Sequence, residues 1–354
     1  MASLIGKLQH PPPEQARNVR KQAEQIRYCV IQAKEYFDAA LAVSLATKPV
    51  LLYYGVMSLA LAEILFKQDG SSSLDYARGQ HAHHGLDLRL GSNPSRKETL
   101  EESGSSLRAV PLIRGAKRSG TFELWHRSAR EAPICGYRDT VLHQGARHKM
   151  PTVVGVPLDA RMGTIEEGGR TFLDCVQAIP GMAPFLAQNG VRSTCARASL
   201  TNSYNEITSE LSSELIIQPN HSDLLEGIYS KIAFDAKCVD KIRIRELPSG
   251  CVLNWGGKVG EADVPGRFPN SVQDSASFFY FQDNISELNE FGLFYLGLFM
   301  LGNYSRYFPD QWMVDVESSS ALALAAMEFL SLAEERVPLL SLSEFSRLWY
   351  VFDK

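Results

Sequence analysis

The run VLLYYGVMSLALAEILF, Val50 to Phe66, carries a single charge, Glu63, and offers water no continuous polar side on a helical period. A helix of this composition must be covered by neighbours on several sides, so it belongs at the centre of a fold. Pro49 suits the first turn of that helix and disfavours a helical residue before it, which separates it from whatever precedes. The apolar run Pro49 to Ala62 is closed by Glu63, and a second, Phe291 to Ser305, is closed by Arg306. Both fall short of the roughly 20 residues a bilayer crossing needs and read as buried helices. The two are expected to pack on each other although they lie far apart in the chain.

Around them the pattern is mixed. Val19, Ala23, Ile26, Val30, Ala33, Phe37 and Ala40 recur at alternating steps of four and three, one stripe of a long amphipathic helix. Thr171 to Leu186 reads as a helix and turn. The period then changes to two, at Val191 to Ala198, Glu214 to Gln218, Ala233 to Val239, KIRIREL (Ile242, Ile244 and Leu247 between charges) and SFFYF at Ser277 to Phe281. Helices return at Leu288 to Tyr307, Ser318 to Glu335 and Ser343 to Phe352, with Pro309 and Pro338 as separators. The fold class is α+β. N-terminal helices (1–90) and C-terminal helices (288–354) are expected to form one bundle, with a basic, loop-rich connection (91–150, exposed to about Gly120) and a β-rich middle part (151–287) between them.

With 45% apolar residues and a net charge of −4, the chain can bury a large core and has no wholesale attraction for nucleic acid or anionic lipid. Cys29, Cys135, Cys175, Cys195, Cys238 and Cys251 include no CxxC pair and read as reduced thiols. The start, MASLIGKLQHPPPEQAR, lacks the features of a secretory signal. These point to the cytoplasm, with no membrane partner and no cofactor; an oligomer is compatible with the sequence.

Charge is local. Leu107 to Met150 holds nine Lys/Arg against three Asp/Glu, with Trp125, His126, Tyr137, His143 and His148 among them. Arg114, Lys117, Arg118, Arg127 and Arg130 could track a phosphate backbone while aromatics stack bases. The plainer reading is a solvated surface.

YARGQHAHHGLDLRL, Tyr76 to Leu90, separates Arg78 from His83 by four residues and from His84 by five; Arg138 and His143 repeat the shorter spacing. Histidine can shuttle the 2′-hydroxyl proton of RNA and arginine can stabilise the phosphorane. With 23 arginines and eight histidines, however, roughly 1.6 such matches arise by accident. His81, His83 and His84 provide two good zinc ligands and no CxxC or HExxH to complete them, so no metal is expected. The alternative is structural: His84-Gly85 as a helix-ending turn, imidazole bonded to a backbone carbonyl and glycine at positive φ. Arg306, read as buried, needs an anionic ligand or an internal partner such as Glu63 or Asp310. NWGGKVG at Asn254 to Gly260 lacks GxxxxGK spacing and reads as a strand turn.

KPVLLYYGVMSLALAEILFKQDG with the HGL at His84 to Leu86, together with YLGLFMLGNYSRYFPDQW at Tyr295 to Trp312, resembles the YaaC-like family of bacterial proteins: a proline, aliphatic and double-tyrosine helix, a downstream HG, and an RY-x-P-x-x-W ending. No activity follows from that resemblance. The N-terminal helix pair also looks like HEPN domains, which implies a helical bundle and, in catalytic members, metal-independent RNA cleavage by an Arg-x(4 to 6)-His motif. The function expected is a binding or regulatory component that contacts RNA, single-stranded nucleic acid or a protein partner, plausible for an antiphage or toxin-like system. The alternatives are a metal-independent ribonuclease using Arg78 with His83 or His84, and a nucleotide-binding regulator.

Overall fold

The computed structural model describes residues 1–68, 73–75, 79, 83–92, 94–114, 117–128, 135–141, 147–153, 165–208, 210–218, 233–234, 243–247, 250–258, 266–267, 271–273, 278–282 and 288–346; at 96, 114, 135–141, 147–153 and parts of the sheets this is backbone only. Helix and sheet are mixed, as an α+β class requires. Two compact units are present: residues 1–130, 161–176 and 287–346, and residues 131–160, 177–286 and 347–354.

The first unit contains α1 (Ala2–Gln9), α2 (Ala16–Leu41), α3 (Lys48–Phe66), α4 (Leu100–Ser106), α5 (Thr121–Ser128), α6 (Glu290–Tyr307), α7 (Pro309–Ser318) and α8 (Ala321–Ser346). Helix α3 is buried over most of its circumference, with Val50, Tyr54, Met57 and Leu61 forming a half-buried stripe, and α2, α6, α8 and α5 pack on it. It is long and apolar enough to cross a bilayer, but 72% of its span is covered by the rest of the chain. Small residues bring the neighbours close. A Cβ at Gly55 would lie 2.9 Å from the Phe37 ring of α2, and one at Gly302 of α6 would lie 3.1 Å from Tyr53 Cβ.

The buried face of α2 is not the one its apolar spacing suggests. Val19, Ile26, Ala33 and Ala40 are buried as expected, but Gln22 and Cys29 join them while Val30 turns to solvent. The reason is a polar one. Gln22 Nε2 donates to Leu65 O at 2.6 Å and Gln68 O at 2.8 Å, adding a side-chain donor to carbonyls at the end of α3.

Asn289 caps α6 by accepting from Gly292 N–H, and Pro309 opens α7. Pro338 does not separate two helices: α8 runs through it to Ser346. Burial of Ala333, Val337 and Ser341 on both sides holds the halves in line despite the lost backbone bond. Largely covered ion pairs tie α8 to its neighbours, Arg336 to Glu290 through two bonds of 3.0 and 2.6 Å and the half-buried Lys48 to Glu334 at 2.6 Å.

Residues 94–114 and 117–128, read up to Gly120 as an exposed connection, are structured. Strands β1 (Leu86–Leu90), β2 (Leu107–Pro111) and β3 (Arg170–Thr171) form an antiparallel sheet, with Leu86 opposite Pro111 and Arg108 opposite Thr171. Leu100, Leu107, Ala109, Val110, Phe122 and Trp125 are buried. Their apolar positions are too short and too widely broken by Ser, Gly and Arg to show a period.

The second unit holds a hairpin, Cys135–Val141 with Arg147–Val153, a helix at Ala183–Gln188, and a six-stranded antiparallel sheet. Its strands are β4 (Cys195–Asn205), β5 (Glu210–Gln218), β6 (Arg243–Leu247), β7 (Gly250–Lys258), β8 (Ser271–Gln273) and β9 (Phe278–Gln282), in the order β6-β7-β5-β4-β9-β8. The register sets Ala198, Ile217 and Cys251 in one row and Leu215 beside Leu253, all buried on one face. NWGGKVG is therefore no turn as far as Lys258; Asn254 pairs with Glu214 and Lys258 with Glu210 inside the ladder. Strand β6, whose alternation suggested one covered face, is an edge strand with Arg243 to Glu246 exposed. Ile242 lies outside the described residues.

Candidate functional site

Two consecutive tyrosines on α3 begin the site. Neighbouring helical residues point about 100° apart, so Tyr53 faces the core and Tyr54 its rim. Tyr53 meets Tyr295 and Phe299 of α6 edge-on, at centroid distances of 6.0 and 5.6 Å, while Tyr54 stacks on Tyr36 of α2 at 5.6 Å.

The turn His83-His84-Gly85 is fixed by its backbone. Thr121 N–H donates to His83 O and Phe122 N–H to His84 O, both at 3.0 Å, so this turn caps the N-terminus of α5. Gly85 has φ +83° and Gly120 φ +101°, and the two backbones touch: a side chain on Gly120 would strike Gly85 Cα and N. Glycine is thus required at both positions. The positive φ at Gly85 agrees with expectation and the turn leads into β1, while the His84 imidazole binds a side chain instead of a carbonyl. His84 Nδ1 lies 2.8 Å from Tyr53 Oη.

Arg306 completes the corner from the last turn of α6, where a cation suits the helix dipole. It is exposed, not buried, which corrects the reading of an arginine enclosed in an apolar helix. Its Nη1 donates to Tyr54 Oη at 2.8 Å and its guanidinium lies 5.1 Å from the Tyr307 ring centroid. Neither Glu63 nor Asp310 pairs with it. Glu63 instead accepts from Trp125 Nε1 and Ser341 Oγ, both at 2.8 Å.

Electrostatics follow from this placement. Burial lowers the His84 pKa, and the positive charge of Arg306 and the neighbouring His83 lower it further, so His84 is neutral near pH 7. Burial holds the Tyr53 hydroxyl well above its ordinary pKa, with Tyr295 and Tyr54 adding to the shift, so it keeps its proton. The corner therefore presents a guanidinium, a neutral imidazole and the protonated Tyr53 phenol, with the Tyr54 hydroxyl at its rim.

The remaining candidates divide. Arg78, His81, Arg130 and His143 lie outside the described residues, as does the side chain of Arg114. His83 accepts from Gly85 N–H at Nδ1 (3.2 Å), which leaves Nε2 to carry the proton toward Ser119 Oγ (3.1 Å); in this tautomer it cannot act as base for that serine. Lys117 and Arg127 are exposed, and Arg127 approaches Glu123 at 3.4 Å. Arg118 Nη1 donates to Ile165 O at 2.5 Å. Trp125, expected among stacking aromatics, is wholly buried and unable to meet a base. Among the described residues no group of three or more His, Cys, Asp or Glu is arranged to hold a metal.

Tyr53 and Tyr54 were not singled out as site residues. The signal was there: two hydroxyls in an aliphatic helix each need a polar partner. Trp312, the end of the RY-x-P-x-x-W segment, is buried against Tyr304 and donates to Leu45 O at 3.2 Å, locking α7 beside the link between α2 and α3. The three segments that carried the resemblance thus meet: the double tyrosine, the HG turn and the arginine share one corner, and the tryptophan holds its frame. No curated protein and no solved structure matches the chain. The model of the family described as YaaC-like Protein matches residues 6–108, which include α2, α3 and the His83–Gly85 turn, so this part of the chain is similar to YaaC-like proteins.

Proposed function

We propose that this protein is a binding or regulatory component of the cytoplasm that recognises a phosphate-bearing ligand, RNA or a nucleotide, at the Tyr54–His84–Arg306 corner. One observation carries the reading: the exposed Arg306 is held by a phenol, and among the described residues no carboxylate neutralises it. A phenol orients a guanidinium without cancelling its charge, which leaves the planar donor face for a phosphate. In this reading the helical unit is a HEPN-like bundle and the setting an antiphage or toxin-like system; the likeness of the N-terminal helix pair is the support for both. The basic side chains Lys117 and Arg127, with Arg114 and Arg130, add long-range attraction, not a stacking platform.

Anisotropy of a labelled single-stranded RNA, with ATP as competitor, tests this. Arg306→Ala should weaken binding at least tenfold, and replacing Arg114, Lys117 and Arg118 by glutamate should weaken it chiefly at low salt. Wild-type affinity in Arg306→Ala would overturn the reading. A second reading, a metal-independent ribonuclease, is favoured by the neutral imidazole beside a guanidinium. It requires RNA cleavage in EDTA that His84→Ala abolishes.

A further inference from the structure

The apolar face of the six-stranded sheet runs on past its cover. Leu215 of β5 lies opposite Leu253 of β7, and Leu253 lies opposite Ile244 of β6. Residues directly opposite in an antiparallel ladder share a face, so the three form one row. Leu215 and Leu253 are 2% and 0% exposed, whereas Ile244 is 53% exposed. The row thus ends in an aliphatic side chain left in water. Its strand is open along the backbone as well. Strand β7 takes one side of β6, and among the described residues no strand takes the other, so alternate N–H and C=O groups of Arg243 to Leu247 face away from the sheet. Arg243 and Arg245 lie on the opposite face from Ile244, both are exposed, and no carboxylate pairs with either among the described residues.

The charges decide what this edge accepts. An antiparallel second copy of β6, with the apolar rows kept on one face, would set Arg245 opposite Arg245 or Arg243, or Glu246 opposite Glu246, and like charges directly opposite are destabilising. A nucleic-acid strand could meet the arginines but carries no amides to answer the open backbone. An acidic peptide answers both. We infer that the outer edge of β6 is a strand-addition site for an extended acidic segment of a partner protein, with carboxylates on alternate residues to meet Arg243 and Arg245 and an aliphatic residue between them to continue the row of Leu215, Leu253 and Ile244. Main-chain bonds supply the affinity of such a site, and the alternate side chains its specificity. It shares no residue with the Arg306 corner and goes beyond the function proposed for it.

The test uses the full chain and a labelled, acetylated and amidated peptide of alternating glutamate and valine, with anisotropy to read binding and hydrogen exchange to locate it. Binding should protect alternate amides of Arg243 to Leu247, those that face away from β7. Replacing Arg243 and Arg245 together by glutamate should weaken the peptide about tenfold or more, because two cross-strand pairs turn from attraction to repulsion. The melting temperature should not move, since both side chains are exposed. Arg306→Ala should bind the peptide as the native chain does. No binding, equal binding of a lysine–valine peptide, or binding that leaves the β6 amides unprotected overturns the inference without any variant having to fold. Protection of those amides by single-stranded RNA and not by the peptide would assign the arginines to nucleic acid and overturn it as well.

Discussion

Helix α3 carries a polar cluster at each end, and the two are built on opposite terms. Near its C-terminus the carboxylate of Glu63, 4% exposed, has both oxygens bonded, to Trp125 of α5 and Ser341 of α8. One turn on, Lys67 pairs with Glu344 at 3.0 Å. Every strong group there is answered from within the chain. Near the N-terminus Tyr53, Tyr54, His84 and Arg306 are fixed just as firmly, yet among the described residues no carboxylate answers the Arg306 charge and one imidazole edge has no partner. A closed cluster fixes how helices dock. An open one, held rigid at no gain to stability, is what a binding site looks like before its ligand arrives.

The largest expected effect strikes the frame both clusters share. Leu298 of α6 is wholly buried, and Leu298→Ala should lower stability by about 2 to 5 kcal/mol, read from denaturant unfolding. If both clusters ride on one packed core, the variant should loosen the His84 corner and the Glu63 cluster together; loss of one alone would break the pairing.

Next is the titration of the closed cluster. Burial, with Glu344 adding repulsion against the attraction of Lys67, raises the Glu63 pKa to about 7 from 4.5. A raised folded pKa means the stabilising contribution is full below pH 4.5 and is lost as pH rises through about 7. Comparing the native chain with Glu63→Gln, stability should fall by on the order of 3 kcal/mol across that window in the native chain only. A difference that stays flat with pH would mean the carboxyl is not enclosed as described.

These two predictions also mark what was legible in the sequence. The central position of α3, its partnership with α6 and the strands after Val191 follow from period and composition, since burying apolar surface dominates there. What was not legible depends on single polar bonds. On α2 the positions 19, 26, 33 and 40 belong to either of two faces, and the choice falls to the Gln22 amide that caps α3, against the apolar claim of Val30. Arg306 read as buried because its helix is apolar, but it stands in the last turn, where the helix leaves the core. Trp125 sat among basic residues and was assigned to a surface, while its indole was needed by Glu63, 62 residues away in sequence. Pairings of this kind have no local period.

A smaller effect tests that capping role. Gln22→Ala should leave two buried carbonyls at the end of α3 without their side-chain donor and cost about 1 to 3 kcal/mol. Hydrogen exchange should show the loss confined to the last turn of α3, near Leu65 and Phe66. Protection lost equally along the helix would show instead that Gln22 acts by packing.

The smallest effect on stability is the one that separates the clusters most sharply. Arg306 is exposed and bound to a single phenol, so Arg306→Ala should change stability by no more than about 0.5 kcal/mol, as surface substitutions generally do. Its effect belongs to the neighbouring ring. Removing that positive charge takes away one of the influences that hold the His84 pKa down, leaving burial as the main cause, so the pKa should rise toward the ordinary histidine value. An NMR titration of the His84 ring reads this directly, and the sign matters: a charge held as a binding group depresses its neighbour's pKa without strengthening the fold, whereas a structural cation would cost stability on removal. An unmoved His84 pKa together with a lost kilocalorie or more of stability, on the order of a broken charged hydrogen bond, would make the Arg306 corner a second closed cluster and end the contrast.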